Sequence, residues 1–336
     1  MKRKKVVLIS VLSILGVIIL SISIAALSIY AFMEHKITKA TPLPKVTEEA
    51  LSASDKIHFL NTGSSDAILL ESDGHFAMVN AGEDSDNPRG FANLEFDGYE
   101  KMILAYLKQH TSNEYGEVHL DFIIGTHAHS DHIGGFDTII LDPDVTIGCA
   151  YLKEYDSSLI QERELIEWDN QEVYDQMISA LKTRNVPIIS DISEEPFKLG
   201  NFTITIFNTQ DPPTDEKIGE NDRSLGVLVE KNGTRVFLAG DINNYSGDEN
   251  KIGPKIGKVD MLKVGHHGHN GSSSWGFVKN LSPKICVITT KHDYLNRKIL
   301  YRFETISHPQ YLTPDKEDGI LAVIGDNGNI QCYGKI

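Results

Sequence analysis

The stretch Thr126-His127-Ala128-His129-Ser130-Asp131-His132-Ile133-Gly134-Gly135 crowds four groups able to hold a metal into one short loop. Before it, Leu120-Asp121-Phe122-Ile123-Ile124-Gly125 reads as a buried strand; after it, Gly134-Gly135 lets the backbone turn tightly into a helix. From such a turn His127 and His129 aim imidazoles at one cation, while Asp131 and His132 reach a second. A single His or Asp is usually a surface polar residue. Four at this spacing point to metal chemistry. Two later turns add to the set: Gly240-Asp241 and Gly265-His266-His267-Gly268. Each follows an apolar run, so side chains from three turns can converge on one sheet edge.

The elements that must position these turns are legible from periodicity. Strand-like runs cover 56–60, 66–72 and 75–80, the last two hinged at Asp73-Gly74. His58 and His75 read as ordinary strand residues. Residues 97–110 place Tyr99, Met102, Ile103 and Tyr106 at helical spacing, and 168–183 place Val173, Met177 and Leu181 on one helical face. Strands are expected at 145–152, 202–207, 225–230 and 234–239, the last two joined by a turn at Lys231-Asn232-Gly233, and again at 261–264, 285–289 and 321–324. The expected architecture is two mostly antiparallel sheets stacked face to face with helices outside. No short-period repeat interrupts the pattern.

Ahead of this body, residues 6–33 carry no charge, and Lys2-Arg3-Lys4-Lys5 precede them. Roughly 20 apolar residues span a bilayer. The expectation is a cytoplasmic tail at 1–5, an uncleaved single-pass anchor at 6–33, a polar linker at 34–54 with Pro42 and Pro44, and a catalytic domain at 55–336 lying outside the cell membrane. A cleaved signal peptide is the rival, but its apolar region is normally about 7–15 residues long.

Of 336 residues, the net charge is -15, and it would be more negative still without the N-terminal basic cluster. An acidic body disfavours nucleic acid as partner. Three cysteines, Cys149, Cys286 and Cys332, lie in apolar stretches and read as small core residues, with no disulfide framework.

Together His127-x-His129-x-Asp131-His132, Gly240-Asp241 and His266-His267-Gly268, in that order, resemble the metallo-β-lactamase superfamily. The resemblance implies an α/β, αββα four-layer sandwich and two Zn2+, with other divalent metals as substitutes. It assigns His127 and His129 to one zinc, Asp131 and His132 to the other, and Asp241 as a bridge. Of the adjacent pair, His267 is assigned as the remaining ligand and His266 as a substrate contact; Asp131 and His266 are the catalytic candidates. Two metals about 3.5–4 Å apart clamp a phosphoryl centre and acidify a bridging water. Two cations, two carboxylates and one hydroxide leave about one positive charge, which suits a phosphate ester better than a neutral amide.

Two subgroups are similar over more of the chain. The hydrolase domain of competence DNA-uptake proteins shares Asn221-x-x-Ser224-Leu225 and the later turns. The cell-surface phosphorylcholine esterases acting on teichoic acids are similar at Ser65-Asp66-Ala67-Ile68-Leu69-Leu70-Glu71-Ser72, Gly74-His75-Phe76-Ala77-Met78-Val79 and Ile256-Gly257-Lys258-Val259-Asp260. The implied function is a membrane-anchored extracellular dizinc phosphoesterase acting on a small phosphoester or cell-wall polymer. The alternatives are a competence-type nuclease, a lactonase or thioesterase, and a non-catalytic binding module on the same scaffold.

Three departures stand out. Asn80-Ala81-Gly82 occupies the place where the superfamily usually has an Asp that supports the ligand loop. Asn221 occupies the region of a further histidine. The choline-binding repeats of the esterases are missing, and the membrane segment is expected to serve as the anchor instead. Trp275 is the first candidate for an aromatic wall against a choline-like cation, with Trp168 and Tyr294 behind it; ordinary packing is the competing explanation for each. His110, His119, His292 and His308 read as surface or structural, and His269 lies between the two classes.

Overall fold

The computed structural model describes residues 2–38, 42–85, 97–211 and 217–336. It divides into an N-terminal helix and a folded body that begins at Pro42. The helix runs Lys2–Thr38, and within it Ser10–Lys36 is long and apolar enough to cross a membrane.

In the body, strands β1 (Asp55–Phe59), β2 (Ala67–Ser72), β3 (His75–Ala81), β4 (Val118–Ile124), β5 (Val145–Tyr151) and β6 (Ile188–Ile189) lead into β7 (Phe197–Leu199), β8 (Phe202–Phe207), β9 (Gly226–Lys231), β10 (Thr234–Leu238), β11 (Met261–Lys263), β12 (Ile285–Val287) and β13 (Gln310–Leu312), followed by β14 (Ile320–Ile324) and β15 (Ile330–Gly334). One sheet has the order β15-β14-β1-β2-β3-β4-β5-β6 and the other β13-β12-β11-β10-β9-β8-β7.

Alternation explains why the two sheets meet. Ile57, Phe59, Ile68, Leu70, Val79 and Ile124 of the first share one core with Phe202, Ile204, Ile206, Val227, Val229, Val236 and Leu238 of the second. The opposite face of the first sheet, with Leu69, Met78, Leu120 and Ile123, packs on Ile103 and Leu107 of helix Glu100–Thr111 and on Val173, Met177 and Leu181 of helix Asn170–Thr183. Behind the second sheet, Phe237 meets Phe277 of helix Trp275–Leu281 edge to face. The result is the αββα four-layer sandwich.

The structure corrects several expectations. The sheets are mixed rather than mostly antiparallel: β3, β4, β5 and β6 pair in parallel, as do β10, β11, β12 and β13. Alternation reports which face is buried and says nothing of strand direction. The expected linker 34–54 is helical at its start and again at Glu48–Ser52. Leu43 N–H donates to Glu317 and Val46 N–H to the Gly334 carbonyl, so these residues belong to the body; residues 39–41 lie outside the described ones. The helix expected from Asp97 starts at Glu100. The helix expected at 168–183 starts at Asn170 and runs unbroken to Thr183; a separate short helix, Glu162–Glu167, precedes it, with Trp168 extended between them. The hairpin turn falls where expected, with Asn232 and Gly233 both left-handed. Cys149, Cys286 and Cys332 are free thiols.

Candidate metal centre

Parallel pairing sets the C-terminal ends of β10 and β11 side by side, and stacking of the two sheets brings the end of β4 to the same edge; the three sequence motifs are the turns that leave these strands. Close backbone approach fixes the first turn. A Cβ at Gly135 would lie 2.4 Å from the Ala81 carbonyl oxygen, and one at Gly134 would lie 2.5 Å from that of Ser130. Leu225 N–H donates to the Thr126 carbonyl, tying this turn to the second sheet. Gly240 is left-handed and packed on Ser224, whose Oγ accepts Asp241 N–H at 2.9 Å. His266 and His267 are both left-handed, at φ 52° and 49°, so the double histidine turns back over the site.

The side chains converge. His127 Nε2 is 3.1 Å from His129 Nδ1 and 3.9 Å from Asp241 Oδ2. His267 Nε2 is 3.1 Å from both Asp131 Oδ2 and His132 Nε2 and 3.4 Å from Asp241 Oδ1. His132 Nε2 is 3.2 Å from Asp241 Oδ1 and 3.7 Å from Asp131 Oδ2. His267 is therefore the member of the adjacent pair that joins the cluster. His266 faces the cleft and pairs through Nε2 with Asn221 at 3.3 Å.

Each ring is held from behind. The Glu164 carboxylate accepts from His129 Nε2 at 3.0 Å, and Trp168 stacks on the same ring. The Thr289 carbonyl accepts from His267 Nδ1 at 2.9 Å. Asn80 contacts His132 Nδ1 at 2.8 Å and accepts Thr126 N–H at 2.9 Å, so the Asn at this departure still supports the loop. Beneath them Asp66 and Lys263 form a fully buried ion pair, and Lys263 Nζ also donates to the Gly240 carbonyl at 2.8 Å. Nothing in the sequence marks Glu164, Asp66 or Lys263 as part of this centre.

Burial together with the neighbouring His132 and His129 pushes His127 well below its usual pKa. Burial works against protonation of His267 too, but Asp241 and Asp131 prevail and raise it to about 9. Burial lowers His266 to about 4 and, with the Asp131 charge adding to it, lifts Glu83 to about 8. A cation entering here displaces protons from His267, so its affinity rises with pH.

The centre lies in a cleft of about 550 Å³. Glu83, Asp97, Asp131 and Asp241 line it, and Lys291 is the one Lys or Arg among its described lining residues. Its aromatic lining is Tyr99, Trp168 and Tyr294. Trp275, the first choice from sequence, is half-exposed at a helix start and does not line the cleft. That order is reversed because the helix break carries Trp168 onto His129.

The chain is similar to known proteins in sequence and in fold. Residues 96–271 match the family described as beta-lactamase superfamily domain. The chain is 28% identical over 206 residues to ComE operon protein 3 of Bacillus subtilis, covering 60% of this chain and 24% of that protein. It is 23% identical over 180 residues to competence protein ComA of Neisseria gonorrhoeae, covering 53% and 21%. The chain thus spans less than a quarter of the length of these relatives. Among solved structures it is similar to the metallo-beta-lactamase fold protein YhfI from Bacillus subtilis, at 13% identity and TM-score 0.45, covering 77% of this chain and 96% of that one. Zn(2+)-bound PqqB from Methylobacterium extorquens follows at 12% identity and TM-score 0.44, covering 77% and 97%. With the match extending over more than half its length, the chain belongs to the β-lactamase superfamily and has the metallo-β-lactamase fold of its hydrolases.

Proposed function

We propose that this protein is a membrane-anchored, two-metal phosphoesterase whose body lies outside the cell membrane. The observation that carries the reading is the shape of the donor set. A tetrahedral site with ligand bonds of about 2.0–2.1 Å has ligand–ligand edges of about 3.3–3.4 Å. The measured separations among Asp131, His132, His267 and Asp241 run from 3.1 to 3.7 Å and bracket that edge. In this reading those four residues hold one divalent cation, while His127 and His129 hold the other and share Asp241 with it. When bound, such a pair supplies Lewis acidity toward a phosphoryl oxygen and a water whose pKa falls toward about 7.

The chain's own residues do the rest. Glu164 and the Thr289 carbonyl fix which nitrogen of His129 and His267 faces inward. His266 and Asn221, held together at the cleft wall, contact the substrate. Trp168, Tyr99 and Tyr294, with Asp97, suit a cationic group on that substrate. This favours a phosphorylcholine-type ester of a small molecule or wall polymer. The basic residues Lys2-Arg3-Lys4-Lys5 before the apolar helix support the outward orientation.

The similarity to competence proteins supports a nuclease as the second reading. A cleft lined by Asp97, Asp131 and Asp241 against one lysine argues against a polyanion. The full chain in detergent, loaded with Zn2+ or Mn2+, should turn over p-nitrophenyl phosphorylcholine and leave single-stranded and duplex DNA intact. Cleavage of DNA alone would transfer the case to the nuclease; no turnover of any phosphoester at full metal occupancy would end the phosphoesterase reading.

Glu164→Gln offers a separate check on the donor set. It is expected to weaken cation binding about tenfold by chelator competition, because the carboxylate that orients His129 is lost. Unchanged affinity would show that the Glu164 charge does not support a cation at His129.

A further inference from the structure

We propose that Asn80 holds His132 in the tautomer whose Nε2 carries the ring proton, so that this chain binds a cation at His132 less tightly than its donor geometry allows. The inference rests on the metal reading above, and its consequence is unusual: a single substitution to a carboxylate should improve the site.

Asn80, next to the last residue of β3, lies in the left-handed region, at φ 59°, which Asn enters readily. Its side chain turns under the loop and is fully buried. Thr126 N–H lies 2.9 Å from Oδ1, and an N–H needs an acceptor, so the amide oxygen is committed there. That leaves the amide NH2 facing His132 Nδ1 at 2.8 Å. An NH2 group only donates. Nδ1 must therefore accept, and the ring proton must sit on Nε2. That nitrogen is the corner of the donor cage, 3.2 Å from Asp241 Oδ1 and 3.1 Å from His267 Nε2.

The other rings meet different chemistry. A carboxylate takes Nε2–H of His129, so Nδ1 is the nitrogen that can turn to a cation. A carbonyl takes Nδ1–H of His267, so Nε2 is the nitrogen that can turn to a cation. The Thr126 hydroxyl beside His127 Nδ1, at 3.0 Å, donates or accepts as required. His132 alone of the four meets a donor. Turning the amide over sets its NH2 against Thr126 N–H, so one buried hydrogen bond is lost either way. Asp66 Oδ2, at 3.6 Å from His132 Nδ1, is too distant to accept instead. A carboxylate at position 80 would accept from Thr126 N–H and His132 Nδ1–H together, and Asp tolerates the same backbone region.

Two measurements test this. In metal-free full chain labelled with 15N-histidine and held in detergent, long-range proton–nitrogen spectra at neutral pH should show His132 protonated at Nε2 and bare at Nδ1, with the signals assigned by their loss in His132→Gln. A proton on Nδ1 would overturn the proposal. By chelator competition, Asn80→Asp should bind Zn2+ at least about tenfold more tightly than the native chain. Equal or weaker binding by a variant with native far-UV circular dichroism would also overturn it. Should Asn80→Asp not fold, the ring-nitrogen spectrum of the native chain decides alone. Native chain that binds no cation yet shows the Nε2 proton would support the tautomer assignment and refute the metal reading.

Discussion

Asp241→Asn is expected to lower turnover of a phosphoester by about 10³-fold or more and to reduce bound metal from two equivalents to at most one. The carboxylate lies near both donor clusters: its Oδ2 lies 3.9 Å from His127 Nε2, and its Oδ1 lies 3.2 Å from His132 and 3.4 Å from His267. Burial alone would raise its pKa, but His132 and His267 prevail and hold it well below the usual carboxylate range. It is therefore held in its charged form. Asn keeps the volume and the Ser224 support of the backbone while removing the charge that two cations would share. Two measurements are needed together, metal content by elemental analysis and kcat with the anchored full chain. Retention of two equivalents with native kcat would remove Asp241 from the centre and with it the bridged arrangement.

What the sequence disclosed divides along physical lines. The ligand turns were legible because metal donors at short spacing are rare and each follows an apolar strand. His127, His129, Asp131, His132, Asp241 and His267 do come together. Core faces were legible as well, because burial imposes a period: Val173, Met177 and Leu181 point inward as their spacing requires. Strand direction was not, since alternation is the same in parallel and antiparallel pairs. Nor were the groups that brace the donors. Glu164 sits in a charged run, Glu162-Arg163-Glu164, that looks like a solvated helix face, and only the break at Trp168 brings it to His129. Asp66 and Lys263 are far apart in the chain, and each resembles an ordinary polar residue at a strand end until the two sheets close on one another.

That last pair carries the second large prediction. Lys263→Met is expected to destabilise the metal-free body by about 3–5 kcal/mol, because it removes one partner of a buried ion pair and leaves the other uncompensated. Lys263 is fully buried, contacts Asp66 Oδ2, donates to the Gly240 carbonyl and lies 3.7 Å from Asp241 Oδ1. Asp66, equally buried, accepts Thr289 Oγ1–H at 2.5 Å. Without the ammonium, His267, 3.6 Å from Asp66 Oδ1 and 3.4 Å from Asp241 Oδ1, is left to offset both buried carboxylates. Asp66→Asn combined with Lys263→Met should recover part of the loss, since contacting residues are not additive. Thermal denaturation of the full chain with chelator present would read both. A single variant within about 1 kcal/mol of the native chain, or a double variant losing the full sum, would mean that the pair is a bystander. A large single loss with partial recovery would mean that the turn carrying Asp241 is held in place by this charge pair before any cation arrives.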